Sequence, residues 1–161
     1  MDAIEALDNG DREAALTMAY KAVKVDPEHV DAWQLISDAH LLADGKAANL
    51  IDASKSLAAV KTITKLDPTR IDMWVRGGRL LADELGLMFD ALDWWQEVRV
   101  HAPYEVTPLI EQATILGDLG LYKEGRERIE TILNENMDVA TSQYGRCLLY
   151  TSDAADESVG V

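Results

Sequence analysis

Cysteine, phenylalanine, proline and basic side chains are all scarce in this 161-residue chain, and each shortage closes off a class of protein. A single cysteine, Cys147, cannot form an intramolecular disulfide, so no cross-linked framework holds the fold. Ten glycines and four prolines are too few for a linker-rich or fibrous chain. With 48% apolar and 27% charged residues, the composition fits one folded domain or a short repeat array. Lys and Arg number 15 against 29 Asp and Glu, a formal charge of −14. Such a surface repels phosphate backbones and anionic bilayers, so neither a nucleic-acid partner nor membrane binding is expected. No apolar run approaches the roughly 20 residues of a membrane-spanning helix. The opening MDAIEALDNGDREAAL has neither the basic start nor the apolar core of a signal peptide. A cytoplasmic location is the default expectation.

The chemistry of common active sites is missing too. There is no phosphate-cradling glycine loop of the Walker or dinucleotide type and no HExxH spacing. His29, His40 and His101 fall in different parts of the chain, and without a cysteine partner they do not make a zinc set. His40 lies in an apolar column and reads as a packed, hydrogen-bonded histidine; His29 is near a helix start and His101 near a helix end. Most acids fall on faces opposite the apolar columns, which is a solvated surface rather than paired acid–base machinery. No catalytic residue, metal or cofactor is expected, and the chain does not read as an enzyme.

What is present is self-similarity. Three prolines follow helical runs in similar contexts, KVDP at Pro27, KLDP at Pro68 and VHAP at Pro103. Shortly after come VDAW ending at Trp33, IDMW ending at Trp74 and VTPL ending at Leu109. Ile36, Ser37 and His40 then match Gly77, Gly78 and Leu81, and Gln112, Ala113 and Leu116, at offsets of one helix face. A second set of columns runs Ala15, Ala19, Ala22; Ser56, Val60, Ile63; Ala91, Trp95, Val98; and Gly125, Ile129, Ile132. Small residues recur at fixed places, Ser37, Gly78 and Ala113 in the first helices, where a neighbouring helix can approach closely. Trp95 sits in the apolar column and is assigned to the core. Trp94, one residue round, is either packed against a neighbouring repeat or half-exposed as a partner anchor.

These columns resemble the tetratricopeptide signature over roughly residues 1–146. The proline column recurs after 41, 35 and, through Met137, 34 residues, against a family period of about 34. The resemblance implies an all-α, right-handed α-solenoid of stacked antiparallel helix pairs, about 3.5–4 repeats long. Approximate repeats are 1–29, 30–70, 71–105 and 106–139, with the start of another over 140–146. The helices are expected at 1–8 and 11–25, 29–43 with 47–66, 70–85 with 87–101, and 106–118 with 122–135, with a further one beginning near Asp138. Thr107 is expected as an N-cap, with Pro108 at the first helical position. The seven or so extra residues near ADGKAANLIDASKSL either lengthen a second helix by up to two turns or form a longer loop.

The tail CLLYTSDAADESVGV breaks the pattern, and CLLYTSDAADE resembles a translated sequencing-library adapter. Residues 147–161 are therefore expected to be non-native, and without their three acids the charge is −11. Met1 falls inside the first helix of its repeat, so either it is an internal start or that helix is a degenerate cap.

In this family the first helices of successive repeats line a concave groove for peptides, and the resemblance implies the same here. At 100° per residue, the stripe opposite Trp33 and Ile36 contains Asp31, Gln34, Asp38, Leu41 and Leu42. The matching stripes are Asp72, Val75, Arg79, Ala82 and Asp83, then Thr107, Ile110, Thr114, Gly117 and Asp118. Such a groove is acidic with apolar patches, and Arg79 is its lone base. Gln34 and Asp38 stand where a chaperone-tail clamp needs Lys and Asn, which disfavours that ligand. The expected role is a protein-interaction scaffold whose partner is a protein or peptide, in particular a basic segment; acids that only keep the array soluble are the competing reading. The alternative is a regulatory repeat arm of a larger enzyme or signalling protein.

Overall fold

The structure, a computed structural model, describes residues 2–135. Met137, the helix expected near Asp138, residues 140–146 and the tail from Cys147 lie outside the described residues. Among the described residues, eight α-helices run α1 (Ala3–Asp8), α2 (Arg12–Val25), α3 (Val30–Ala39), α4 (Leu50–Leu66), α5 (Ile71–Arg79), α6 (Met88–His101), α7 (Thr107–Asp118) and α8 (Tyr122–Asn134). Leu80–Glu84 is a π-helical turn continuing α5. The chain divides into two compact units, Met1–Leu87 and the part from Met88 on. Within each, consecutive helices pack as antiparallel neighbours, α1 to α5 in the first and α6 to α8 in the second. The first unit is centred on Ala19, Val23, Leu35, Ile36 and Ala59, with Trp33 and Leu7 packed against them. In the second, Leu109, Ala113, Ile129 and Ile132 form a core flanked by Val106, Ile110 and Leu133.

The Asp-Pro and Trp columns have a common physical cause. Asp26 and Asp67 end their helices in turns, where their carboxylates accept from Glu28 N–H (3.1 Å) and Thr69 N–H (3.0 Å). Six residues after each proline, an indole N–H returns to the proline carbonyl: Trp33 Nε1 to Pro27 O at 2.8 Å, Trp74 Nε1 to Pro68 O at 3.0 Å. Tryptophan therefore buries a ring and fastens the connection between hairpins with the same side chain. Leu109 does only the first of these.

The departures from the repeat period are absorbed in two ways. Most of the extra residues of 29–66 form a loop, because α3 stops at Ala39 and α4 starts at Leu50. The loop folds on itself through a Leu41–Ala47 bridge, Leu42 N–H to Lys46 O at 2.8 Å, and Gly45 at φ +81. Asn49 then caps α4, its Oδ1 accepting from Asp52 N–H at 2.9 Å. At 17 residues α4 is three longer than α2 and α6, so the lengthening is about one turn rather than two. The single extra residue between Trp74 and Gly86 widens the end of α5 into the π-turn, with Leu85 N–H bonding Leu80 O at 3.0 Å. At α7 the N-cap is Val106, not Thr107, and no side chain caps it: Val106 O already accepts from Leu109 and Ile110 N–H, which draws Thr107 into the first turn.

The small columns mark close approaches. Ser37 and Ser56 hydroxyls meet at 2.8 Å, and Ser56 also bonds Ser37 O at 3.2 Å. A Cβ on Gly125 would stand 3.2 Å from the Ala113 carbonyl oxygen, tighter than ordinary contact. Gly125→Val is thus expected to lower the thermal midpoint through about 1–3 kcal/mol of overpacking, with exposed Glu124→Ala nearly neutral. Melting followed by circular dichroism checks this, and equal midpoints would refute the close packing.

Candidate functional site

Two cavities open on the first unit. The larger, about 500 Å³, lies between the inserted loop (Leu41, Asp44, Lys46) and the α5–π-turn face. Five expected groove residues line it: Leu41, Asp72, Val75, Arg79 and Asp83. The loop and the π-turn are the two places where the chain departs from its repeat period, and both converge on this cavity.

The expected α3 stripe does not behave as one surface. Gln34 and Asp38 are drawn towards α5 by guanidinium groups. Arg70 Nη2 donates to Gln34 Oε1 at 2.9 Å and to Asp72 Oδ2 at 2.7 Å, while its Nε reaches Asp72 Oδ1 at 2.9 Å. Arg76 Nη1 donates to Asp38 Oδ1 at 2.5 Å and to Ser37 Oγ at 3.0 Å. Asp31 lies on the rim of the other cavity. Leu41 and Leu42 stand beyond the end of α3, in the loop, and only Leu41 lines the larger cavity. Ala82 is buried, because the π-turn rotates it inward. Thr107, Ile110, Thr114 and Asp118 lie in the second unit on α7. Ile110 packs at the edge of that unit's core, and Thr114 Oγ1 returns to Ile110 O at 3.0 Å. Thr114 and Asp118 are exposed.

Arg79 is not the lone base of this face. Arg76 and Lys46 line the same cavity and Arg70 stands beside it, against Asp44, Asp72, Asp83 and Glu84. Single-helix geometry missed them because Arg70 caps α5 from outside the helix, Arg76 reaches across from the stripe's edge, and the loop has no place in a 34-residue template. The fork–fork contact with Arg70 holds the Asp72 carboxyl below the usual carboxylate range, outweighing its partial burial.

A buried polar cluster joins α2, α3 and α4. His40 Nδ1 lies 2.8 Å from Asp52 Oδ1, the Arg12 guanidinium contacts the same oxygen, and Asn49 Nδ2 donates to Asp52 Oδ2 at 2.8 Å. Arg12 Nη2 also lies 3.0 Å from His40 Nδ1, so guanidinium, imidazole and carboxylate meet at one point. His40 is thus the packed, hydrogen-bonded histidine its column implies. His40 first, then Arg12 and Asn49, hold the Asp52 carboxyl below its ordinary value against the opposing effect of burial. Neither cavity is lined by this cluster. Among the described residues no three His, Cys, Asp or Glu side chains converge as a metal set, and no helix is long and apolar enough to cross a membrane.

No family model and no curated protein sequence matches the chain. Solved structures do. A tetratricopeptide protein of Thermus thermophilus, TTC0263, superposes with a TM-score of 0.60 at 16% identity, over 92% of this chain and 78% of that one. YrrB, described as a tetratricopeptide protein with an unusual peptide-binding site, gives 0.64 at 14% identity, over 96% and 74%. MamA from Desulfovibrio magneticus RS-1 gives 0.61 at 16% identity, over 98% and 88%. The fold is that of the tetratricopeptide repeats, all-α helix pairs with no sheet among the described residues.

Proposed function

We propose that the chain is a protein-interaction scaffold, not an enzyme, and that it holds a peptide segment on the α3–α5 face of its first unit. The reading is supported above all by the convergence of the inserted loop and the π-turn on one cavity, since π-turns recur at functional sites. Loops set on a rigid helical frame likewise carry binding surfaces. The segment is basic and apolar. Its aliphatic side chains lie on Leu41, Val75 and Leu80, and its cation meets Asp83 and Glu84, while Asp38 and Asp72 are already engaged by Arg76 and Arg70. The acidic character of the groove is therefore local to the π-turn end and weaker than a count of stripe carboxylates implies. The expected stripe on α7 is a contact surface of the second unit in its own right, and a cytoplasmic location completes the proposal.

Fluorescence-anisotropy titration with labelled basic–apolar and acidic–apolar peptides at two salt concentrations tests it. The basic peptide should bind several-fold more tightly and lose affinity in high salt. Asp83→Lys should reverse the preference. Equal, weak, salt-independent binding of both peptides would end the proposal.

A further inference from the structure

The inserted loop that walls the larger cavity has no core of its own. From Leu41 to Asn49 no residue is buried, and only Leu41 and Ala47 are even half-buried. The tip is braced locally: Leu42 N–H on Lys46 O and Gly45 N–H on Leu42 O, both at 2.8 Å, and Lys46 N–H on Asp44 Oδ1 at 3.1 Å. Those bonds fix the shape of the tip, not the angle at which it leaves the helices. A segment with so few buried contacts moves as a unit unless its ends are held.

Both ends are held by one side chain. His40, which ends α3, and Asn49, which caps α4, are the two feet of the loop. His40 Nδ1 lies 2.8 Å from Asp52 Oδ1, and Asn49 Nδ2 donates to Asp52 Oδ2 at 2.8 Å, so each carboxylate oxygen takes one foot. Arg12 reaches His40 Nδ1 at 3.0 Å and also contacts Asp52 Oδ1, which fastens the node to α2. Asp52 is nearly buried, where charged hydrogen bonds are stronger than in water. Leu41, next after the His40 foot, is the first cavity-lining residue in chain order. The contact at His40 therefore aims Leu41 at the cavity.

Helix capping does not account for the second foot. The cap of α4 needs only Asn49 Oδ1, which accepts from Asp52 N–H at 2.9 Å, and a serine hydroxyl would do the same. The Nδ2 bond to the carboxylate is an addition to it.

We infer that Asp52 is a positioning residue for the peptide face: from outside the cavity it holds both feet of the loop and keeps the Leu41–Lys46 wall in register with α5. This role rests on the peptide site proposed for that cavity. A wall in place for only a fraction of the time lowers the apparent affinity by that fraction. A side chain that never touches the ligand thus sets how tightly it is held.

Two measurements on the full chain test it. Native-state trypsin cleavage after Lys46, the sole lysine or arginine of the loop, reports local opening; cleavage after Lys61, inside α4, reports opening of the unit as a whole. Fluorescence anisotropy with the labelled basic–apolar peptide reports the face. Asp52→Ala should raise cleavage at Lys46 well beyond that at Lys61. It should also weaken the peptide about tenfold, as for a loop in place about a tenth of the time. Asn49→Ser keeps the helix cap, which circular dichroism verifies, and frees one foot, so the same two changes should appear in smaller degree. Val23→Ala, a core truncation on α2, should raise cleavage at both lysines in step and leave the affinity unchanged. Cleavage at Lys46 that only follows Lys61 in both node variants would overturn the inference, as would a freed loop with undiminished affinity. If the wild type binds no peptide, the proposed site and this role fall together; if it binds and the node variants bind equally well, this role alone falls.

Discussion

Replacing Trp95 by alanine should cost about 3–5 kcal/mol and lower the thermal midpoint more than any other single truncation in the second unit. The side chain is fully buried on α6, and it is the largest group in a column otherwise filled by Ala19, Val60 and Ile129. Its indole N–H finds no acceptor among the described residues. An orphaned buried donor forfeits roughly 1–3 kcal/mol, so Trp95→Phe should be far milder than Trp95→Ala: it removes the unpaired donor along with part of the ring. Trp94→Ala should fall between the phenylalanine variant and the Trp95 truncation, since Trp94 is only half-buried. Chemical denaturation of the three variants would order them. A Trp95→Phe loss equal to Trp95→Ala would be the contrary result, since the ring that phenylalanine keeps would then contribute nothing.

The second large effect is expected at Asp52. Its carboxylate is the acceptor that keeps both His40 and Arg12 in place. Asp52→Ala leaves a buried imidazole and a guanidinium without their anion. Breaking a fully buried pair costs roughly 3–5 kcal/mol; the Arg12 side chain is 42% exposed and can rehydrate, which brings the expected loss to about 2–3 kcal/mol. The pH dependence follows from the direction of the shift. Asp52 is more acidic folded than unfolded, so its contribution is complete above an unfolded value of about 4. It drains away as the pH falls through the lower, folded value, because the unfolded chain takes up the proton first. Asp67, held low by the Thr69 hydroxyl and backbone, and Asp72, held low by Arg70, add acid lability of the same sign. The stability gap between wild type and Asp52→Ala should therefore be widest near neutrality and narrow below pH about 4. Denaturant midpoints measured from pH 7 downward would test it, a gap constant across the acid range being the contrary result.

Much of the helical frame was legible residue by residue. Pro27 with Trp33 and Pro68 with Trp74 mark the same local device, an indole bonded to a carbonyl six residues back, and local devices leave local patterns. The small columns were legible for a similar reason: close helix packing tolerates few side chains, so Ser37, Ser56, Ala113 and Gly125 stand out in phase. The groove was less legible. Helical wheels place Gln34 and Asp38 on one stripe and Asp72 on the next, but a wheel contains no neighbouring helix. It could not foresee Arg70 and Arg76 reaching over to bind them. Nor does a wheel apply at Leu41 and Leu42, where α3 has already ended, or at Ala82, which the π-turn rotates into the core.

By itself, the order of residues determined which segments coil, which faces are apolar and where hairpins turn, because those depend on periods of three and four along one chain. Tertiary structure alone decided which carboxylates remain available, where the extra residues go, and that Arg12, His40 and Asp52 meet. Those outcomes depend on distances between groups as many as 40 positions apart, set by packing, and no spacing along the chain encodes them.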